Sequence, residues 1–301
     1  MPNPLLLLPD FLLILLGWVL CRRTSLDRPV WDAAERLVYY LLFPVLLFNS
    51  IVRTPLQPQQ TLSLVLAGIG TTVCGIALAH ALRLWPRVDA RLHASGAQIV
   101  FRSNSYIALA LSERLGGSQG LAWMALVIAL TVPITNVAAV LPLARHGGRS
   151  SLREVARNPL ILGTLAGIAA NIAGLHFPDA VTTTLQRIGL AALPLGLMAV
   201  GAGLKLGGLK ASPSLAAVLL GLRHAALPAI AIGLAAVLAL PPEQRTIVVL
   251  YGALPTASST YVLAARMGGD AGFVAGLVTL STVLGAVSIP FWLALQAMLP
   301  F

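Results

Sequence analysis

Long apolar segments dominate the chain, and short breaks that hold its charges, prolines and glycines separate them. These segments predict membrane-spanning helices, since a helix needs about 20 apolar residues to cross a bilayer. Helices are favoured over barrel strands, because alternating strands of about ten residues would not give runs this long and uniform. Ten spans, numbered in chain order, are predicted at residues 5–20, 33–52, 61–82, 93–113, 121–144, 156–175, 182–204, 213–239, 244–266 and 272–298.

Composition excludes several classes of protein. Of the 301 residues, 57% are hydrophobic and 10% are charged, whereas a soluble domain is about 25% charged. A water-soluble enzyme and a disordered chain are therefore excluded. The net charge of +10 indicates no nucleic-acid partner, because the basic residues lie in breaks between apolar runs and not in a patch beside aromatic residues. Cys21 and Cys74 match no metal or disulfide spacing, so we expect free thiols and predict neither a metal nor a cofactor.

The distribution of basic residues predicts an orientation. Fourteen of the twenty Lys and Arg residues lie in or beside the odd-numbered loops, four lie on the opposite side, and two fall inside spans. The positive-inside rule places the richer side in the cytoplasm. We therefore expect a multi-pass protein of the cell (inner) membrane with both termini outside the cytoplasm. The first apolar run lacks a preceding basic residue and a cleavage site, which favours a span over a signal peptide.

The two halves of the chain repeat each other. Four short motifs recur in the same order at offsets of 155, 150, 155 and 152 residues, namely 3–7 at 158–162, Pro44 at Pro194, 103–107 at 258–262, and 114–117 at 266–269. The predicted repeats are residues 1–150 and 151–301. Because each repeat holds five spans, an odd number, the second copy must enter the membrane inverted. Inverted repeats of this kind are typical of secondary transporters, whose site lies at the midplane between the repeats.

Polar clusters interrupt spans four and nine at matching positions. Pro255 breaks the helical hydrogen-bond pattern of span nine, and hydroxyl residues follow it. From the ends of their spans, Asn104 and Pro255 are each roughly 16 Å deep, near the middle of a roughly 30 Å core. If both helices unwind there, two half-helix N-termini present free N–H groups to one volume, which favours an anion such as a carboxylate. The residues predicted to bind it are Arg102, Ser103, Asn104, Ser105, Tyr106, Asn136, Pro255, Thr256, Ser258, Ser259 and Tyr261.

Several of these segments resemble the auxin efflux carrier family of transporters, particularly its bacterial members. The resemblance covers nearly the whole chain and is carried by the motifs at 41–48, 101–106, 158–161, 193–197, 254–259 and 261–264. It implies an all-helical fold related to that of bile-acid sodium symporters, with spans four and nine broken and crossing. It also implies that spans one, two, six and seven form a scaffold and that the other six form a moving transport domain.

The resemblance further implies transport of small organic anions, with malate- or malonate-like acids for the bacterial members and Asn104 contacting the substrate carboxylate. Two features depart from the family pattern. Plant members often carry proline in both breaks, whereas residues 101–103 hold none, so the extent of unwinding in span four stays open. The loop at 145–158 is short, which argues against auxin itself as the substrate.

Charged and amide residues inside the spans have structural as well as functional interpretations. Arg102 calls for a partner near mid-membrane: it would hold the anion, stand in for a cation at the half-helix ends, or bond only to exposed carbonyls. Arg223 would pair with carbonyls of span nine or act in support and coupling together with His224. Asn49 and Asn136 would line a pathway or serve as interhelical hydrogen bonders, the interpretation we favour for Asn171.

The leading hypothesis is thus a secondary carrier that moves a small mono- or dicarboxylate by alternating access. No carboxylate lies in the middle of a span, so a proton relay or charged sodium cage has no obvious donor; we leave coupling open and favour the anion's own gradient, or protons. A membrane-embedded enzyme and a passive anion channel remain alternatives, although no HExxH, GxSxG or Asp-rich motif is present. Its partners would be the anion and the lipid bilayer, and we keep open a homodimer through the scaffold spans.

Overall fold

The computed structural model describes residues 8–53, 58–85, 88–144, 159–175, 177–205 and 209–299. Within these ranges the protein is almost entirely helical. An isolated antiparallel β-bridge joins Ser103 and Thr256. Predicted spans one to five correspond to seven helices, which are α1 (Leu8–Arg23), α2 (Arg28–Leu37), α3 (Phe43–Arg53), α4 (Pro58–Ala81), α5 (Ala90–Gly96), α6 (Gln98–Phe101) and α7 (Ser105–Ala144).

The second half of the chain corresponds to eight further helices. They are α8 (Pro159–Ile172), α9 (Asp179–Leu190), α10 (Ala192–Ala202), α11 (Pro213–Gly221), α12 (Leu227–Val237), α13 (Pro242–Ala253), α14 (Ser259–Arg266) and α15 (Ala271–Met298). Two π-helical segments connect neighbouring helices, Val38–Leu42 between α2 and α3 and Leu222–Ala226 between α11 and α12. Short 3₁₀ turns lie at Leu82–Leu84 and Leu209–Ala211.

Six helical segments of the described chain are long and apolar enough to cross a membrane. They are Arg28–Val52, Thr61–Leu84, Ser105–Leu143, Asp179–Ala202, Pro213–Val237 and Ala271–Met298. The second part of predicted span four and all of predicted span five lie in α7, which consists of two helical segments separated by a kink at Gly117, where φ is +56° and ψ is −151°. Predicted spans six and nine are represented by shorter helices, of 14 residues for α8 and of 12 and 8 residues for α13 and α14. The protein is therefore a multi-pass membrane protein, and the count of ten spans stays a prediction.

The outer surface of the helices is apolar. Large hydrophobic side chains such as Leu16, Leu66, Leu141, Val237 and Phe291 are exposed along their lengths. Soluble proteins rarely expose apolar surface of this extent. Contact with lipid acyl chains explains it, because those side chains lose nothing in a medium as apolar as themselves.

Glycines allow pairs of helix backbones to approach closely. A Cβ at Gly201 of α10 would overlap the backbone carbonyl of Ile14 in α1, and a Cβ at Gly17 of α1 would overlap the backbone of Met198 in α10. Gly163 of α8 gives the same close approach to Pro44 of α3. Between helices in lipid the hydrophobic driving force is missing. The close packing that small residues allow takes its place.

Proline explains the position of both π-helical segments. Pro44 and Pro228 each follow two residues after such a segment ends. A helical proline has no N–H to donate, and its ring clashes with the carbonyl four residues earlier. The wider π turn moves that carbonyl aside without ending the helix. In the second case the displaced carbonyl belongs to His224, and Nε1 of Trp292 donates a 2.7 Å hydrogen bond to it.

Replacing Gly201 with alanine tests the close approach of α1 and α10. We expect Gly201→Ala to lower the melting temperature, since forcing a methyl group into a filled contact costs about 1–3 kcal/mol. Gly233→Ala in α12 is the matched control, because a Cβ there meets no atom within 4 Å. Thermal unfolding of both purified variants in detergent checks this, and equal melting temperatures would contradict the contact.

Candidate functional site: two interrupted helices joined at their breaks

The first interruption separates α6 from α7. Arg102 leaves the helix with extended dihedral angles (φ −91°, ψ 108°), and α7 begins at Ser105. Asn104 caps the new helix, because its Oδ1 accepts hydrogen bonds from the backbone N–H groups of Tyr106 at 3.0 Å and Ile107 at 3.2 Å. Asparagine is among the preferred residues for this capping role. The break in span four is therefore formed by a polar cap and needs no proline.

The second interruption separates α13 from α14. Leu254 is extended (φ −57°, ψ 146°), as the steric effect of the following Pro255 requires. The chain continues non-helically to Ser258 and becomes helical again at Ser259. Thr256 is fully buried within this break. Its N–H donates to Oγ of Ser281 in α15 at 3.0 Å, which supplies a partner that the helix no longer provides.

The two breaks bind each other directly. The N–H of Asn104 donates to the carbonyl of Pro255 at 2.9 Å, and the N–H of Ala257 donates to the carbonyl of Arg102 at 2.9 Å. These two bonds form the antiparallel bridge between Ser103 and Thr256. Oγ1 of Thr256 adds a third bond of 3.0 Å to the Arg102 carbonyl. Backbone groups that lose their helical hydrogen bonds at the breaks are thus satisfied by pairing across the two segments.

Arg223 lies behind the joined breaks and is 1% exposed. Its guanidinium donates from Nε to the Leu254 carbonyl at 2.5 Å, from Nη1 to the Val100 carbonyl at 2.7 Å, and from Nη2 to Oγ of Ser103 at 2.9 Å. The two carbonyls lie at the C-terminal ends of α13 and α6, where the helix dipole is negative. One planar side chain therefore fastens both first half-helices to the same point.

His224 supports the second break from the same π-helical segment. Its Nδ1 lies 2.9 Å from Oγ of Ser288, and its Nε2 lies 2.9 Å from Oγ of Ser281. Ser281 also accepts the Thr256 N–H, so it links the histidine to the break. The serines are seven residues apart in α15 and therefore share one face of that helix.

Arg102 faces a different environment from Arg223. Its side chain is partly exposed, and Nη2 donates to Oγ of Ser259 at 3.1 Å. Ser259 begins α14 and is exposed. A guanidinium and a hydroxyl are thus placed at the accessible N-terminal end of a half-helix, where an anion is favoured.

Tyrosines occupy the flanks of the breaks. The Tyr106 ring stacks on Phe43 of α3 with centroids 4.8 Å apart. The Tyr261 ring lies 4.5 Å from Nζ of Lys205, at the end of the segment that follows α10. Tyr106 therefore contacts predicted span two, and Tyr261 contacts the residue that directly follows predicted span seven.

The remaining predicted residues lie at different distances from this arrangement. Ser105 and Ser258 are partly exposed at the edges of their breaks. Asn49 in α3 and Asn136 in α7 are also partly exposed, and within the described residues neither hydrogen-bonds to a break. Asn171 instead donates to the Ile51 carbonyl at 2.8 Å and so connects α8 with α3.

Ser281 and Ser288 were not among the residues that the sequence singled out. Both lie in the apolar helix α15, where lone serines carry little signal. Their seven-residue spacing on one face of the helix, opposite a span containing a histidine, is the pattern that could have identified them.

Comparisons with known proteins identify relatives of this chain among membrane transport proteins. The family profile described as membrane transport protein matches residues 143–293. A "Putative malonate transporter" of Rhizobium meliloti is 25% identical over 298 residues, which cover 94% of this chain and 92% of the relative. An "Uncharacterized transporter" of Methanothermobacter thermautotrophicus is 26% identical over 287 residues, which cover 93% of this chain and 94% of the relative.

These matches define a membrane transport protein and not an enzyme. The chain belongs to the family of membrane transport proteins that the profile describes, the auxin efflux carrier family whose motifs its sequence resembles.

Asn104 gives a direct test of the cap that starts α7. Asn104→Ala removes the acceptor for two backbone N–H groups and should lower the free energy of unfolding by about 1 kcal/mol. Asn104→Asp keeps an acceptor at the same place and should melt close to the wild type. Thermal unfolding in detergent compares the three proteins, and a stable alanine variant would contradict the capping role.

Proposed function

We propose that this protein is a secondary transporter for small organic anions, of the mono- or dicarboxylate class, and that it binds them at the joined breaks. The observation that carries this proposal is the pairing of the Arg102–Asn104 segment with the Pro255–Ala257 segment. The half-helices α7 and α14 begin beside this pairing, and helix N-termini favour negative charge. A single helix end could not supply both of these N-termini.

The chemistry of the accessible side fits a carboxylate. Arg102 presents a guanidinium, whose planar donors match a carboxylate in a bidentate geometry. Ser258 and Ser259 add hydroxyl donors, and within the described residues Nδ2 of Asn104 makes no hydrogen bond. The name of the Rhizobium relative supports a malonate-like acid as the first compound to test.

We also propose the ten-span arrangement of two inverted five-span repeats, residues 1–150 and 151–301. Helix packing supports it, since α1 packs on α10 and α3 packs on α8. Predicted spans one and seven thus form one pair, and spans two and six form the other. Exchanging the two repeats replaces span one by span six and span two by span seven. The pair of spans one and seven then becomes the pair of spans six and two, as an inverted repeat requires.

Alternating access is supported by uneven packing between the scaffold and transport spans. The larger apolar core joins Phe43 and Leu197 of the scaffold to Ile107 and Met124 of α7. The second core has no buried member in α1 to α3 or α8 to α10 among the described residues. With the orientation that the basic loops favour, this division of the two cores supports a state that is closed towards the outside.

Polar contacts reinforce the closed end. Nε of Arg114 lies 3.4 Å from Oδ2 of Asp10, which joins the end of predicted span four to α1. Oγ of Ser50 in α3 donates to the Ser118 carbonyl at 3.1 Å. Both contacts cross between scaffold and transport spans, so an outward-open state would have to break them.

Flux into proteoliposomes tests the transport proposal. We expect radiolabelled malonate to enter with saturation and to be accelerated by unlabelled malonate inside, because a carrier reorients faster when loaded. A passive channel would instead give flux that rises linearly with concentration and shows no acceleration. Such a linear result, or no flux of any mono- or dicarboxylate, would contradict the proposal.

Variants at the breaks localise the binding site in the same assay. Arg102→Ala should raise KM by about tenfold or more, since a hydrogen bond to a charged group contributes about 1.5–3 kcal/mol. Asn104→Asp preserves the cap but adds a negative charge beside the anion, so it should lose transport while remaining folded. Arg83→Ala removes an exposed arginine away from the breaks and is the control. Unchanged KM in both site variants would place the anion elsewhere.

A further inference from the structure

Arg223 is a permanent positive charge in an apolar interior without a carboxylate beside it. It is the largest of the side chains that are fully buried. The described ion pairs join Arg28 with Asp32 and Glu35, and Arg114 with Asp10, so none of them includes Arg223. An unpaired charge at this depth costs several kcal/mol or more unless its surroundings compensate it.

Three oxygen atoms supply that compensation. They are the carbonyls of Leu254 and Val100 and the hydroxyl of Ser103, at 2.5–2.9 Å from the guanidinium nitrogens. Carbonyl and hydroxyl oxygens at the negative ends of half-helices are also the ligands that sites for inorganic cations use in broken-helix transporters. The guanidinium thus fills a position whose chemistry suits a cation.

We propose that Arg223 is a built-in counter-cation for the joined breaks, so that they need no sodium or potassium ion to hold together. Arginine does not lose its proton in proteins, and therefore the charge is fixed. Arg223 and its three acceptors, which lie in or beside the two breaks, belong to predicted spans four, eight and nine, and the proposed arrangement assigns all three spans to the transport domain. The charge is retained throughout the transport cycle, and anion movement is independent of both ions.

Removing the guanidinium should convert this position into a site for a soluble cation. In Arg223→Ala the carbonyls of Leu254 and Val100 lose their donors, and a buried acceptor without a partner is destabilising. A methylguanidinium or sodium ion that enters the vacated space can compensate them. Adding the ion should therefore restore the stability that is lost with the positive charge. It would not restore stability that is lost only because the side chain no longer fills its space.

Thermal unfolding measures this inference without any transport. Wild type, Arg223→Ala and the exposed-arginine control Arg83→Ala are melted in N-methylglucamine, sodium, potassium or methylguanidinium chloride at equal ionic strength. We expect the wild type and the control to be indifferent to the cation. The alanine variant should melt lower, and methylguanidinium or sodium should raise its melting temperature with saturation by about 2–4 °C or more.

Two outcomes would overturn the inference: saturable stabilisation of the wild type by sodium or potassium, or an alanine variant that responds to none of the cations. If Arg223→Ala does not fold, Arg223→Lys, which retains a cation, is compared with Arg223→Gln, which lacks one. Equal melting temperatures of these two variants, unchanged by any added cation, would also contradict the inference.

The transport part rests on the proposed function. Replacing sodium and potassium by N-methylglucamine on both sides should leave wild-type malonate flux unchanged, and a loss of flux would contradict the inference. Absence of flux in every buffer would refute the proposed function instead, while the melting experiments would still decide the role of Arg223.

Discussion

A helix that breaks inside a membrane exposes backbone donors and acceptors that water cannot reach, and each needs another partner. The structure meets this constraint by bringing its two breaks together, with Asn104 N–H bound to the Pro255 carbonyl and Ala257 N–H bound to the Arg102 carbonyl. The two interruptions therefore depend on each other. Neither broken segment could remain buried alone at acceptable cost, since an unpaired buried backbone group costs about 1–3 kcal/mol.

The polar residues around the breaks follow from the same constraint. Arg223 occupies the carbonyl ends of the first half-helices, and Asn104 caps the start of α7. Ser281 receives the Thr256 N–H and connects it with His224. With these groups committed to the backbone, the accessible side presents Arg102 and the exposed hydroxyl of Ser259. The same breaks thus separate structural support on their buried face from the groups proposed to bind the anion.

Sequence reasoning located the breaks better than it located their partners. Pro255 announces an interruption because its effect on the preceding residues is local, and the polar cluster around Asn104 lies at the matching place. Arg223 was conspicuous as a charge within an apolar run. Ser281 was missed, because its role depends on tertiary contacts across spans distant in sequence. The kink at Gly117, by contrast, lies between residues 113 and 121, where the sequence separates predicted spans four and five.

The central claim is that the paired breaks form the anion site, and a structure of the protein with 2-bromomalonate would test it most directly. Bromine scatters anomalously, so its position can be located independently of the surrounding density. The account predicts a bromine peak beside Arg102 and Ser259, at the starts of α7 and α14, with the bridge between Ser103 and Thr256 intact. A peak at a distant surface, with no ligand at the breaks, would contradict it.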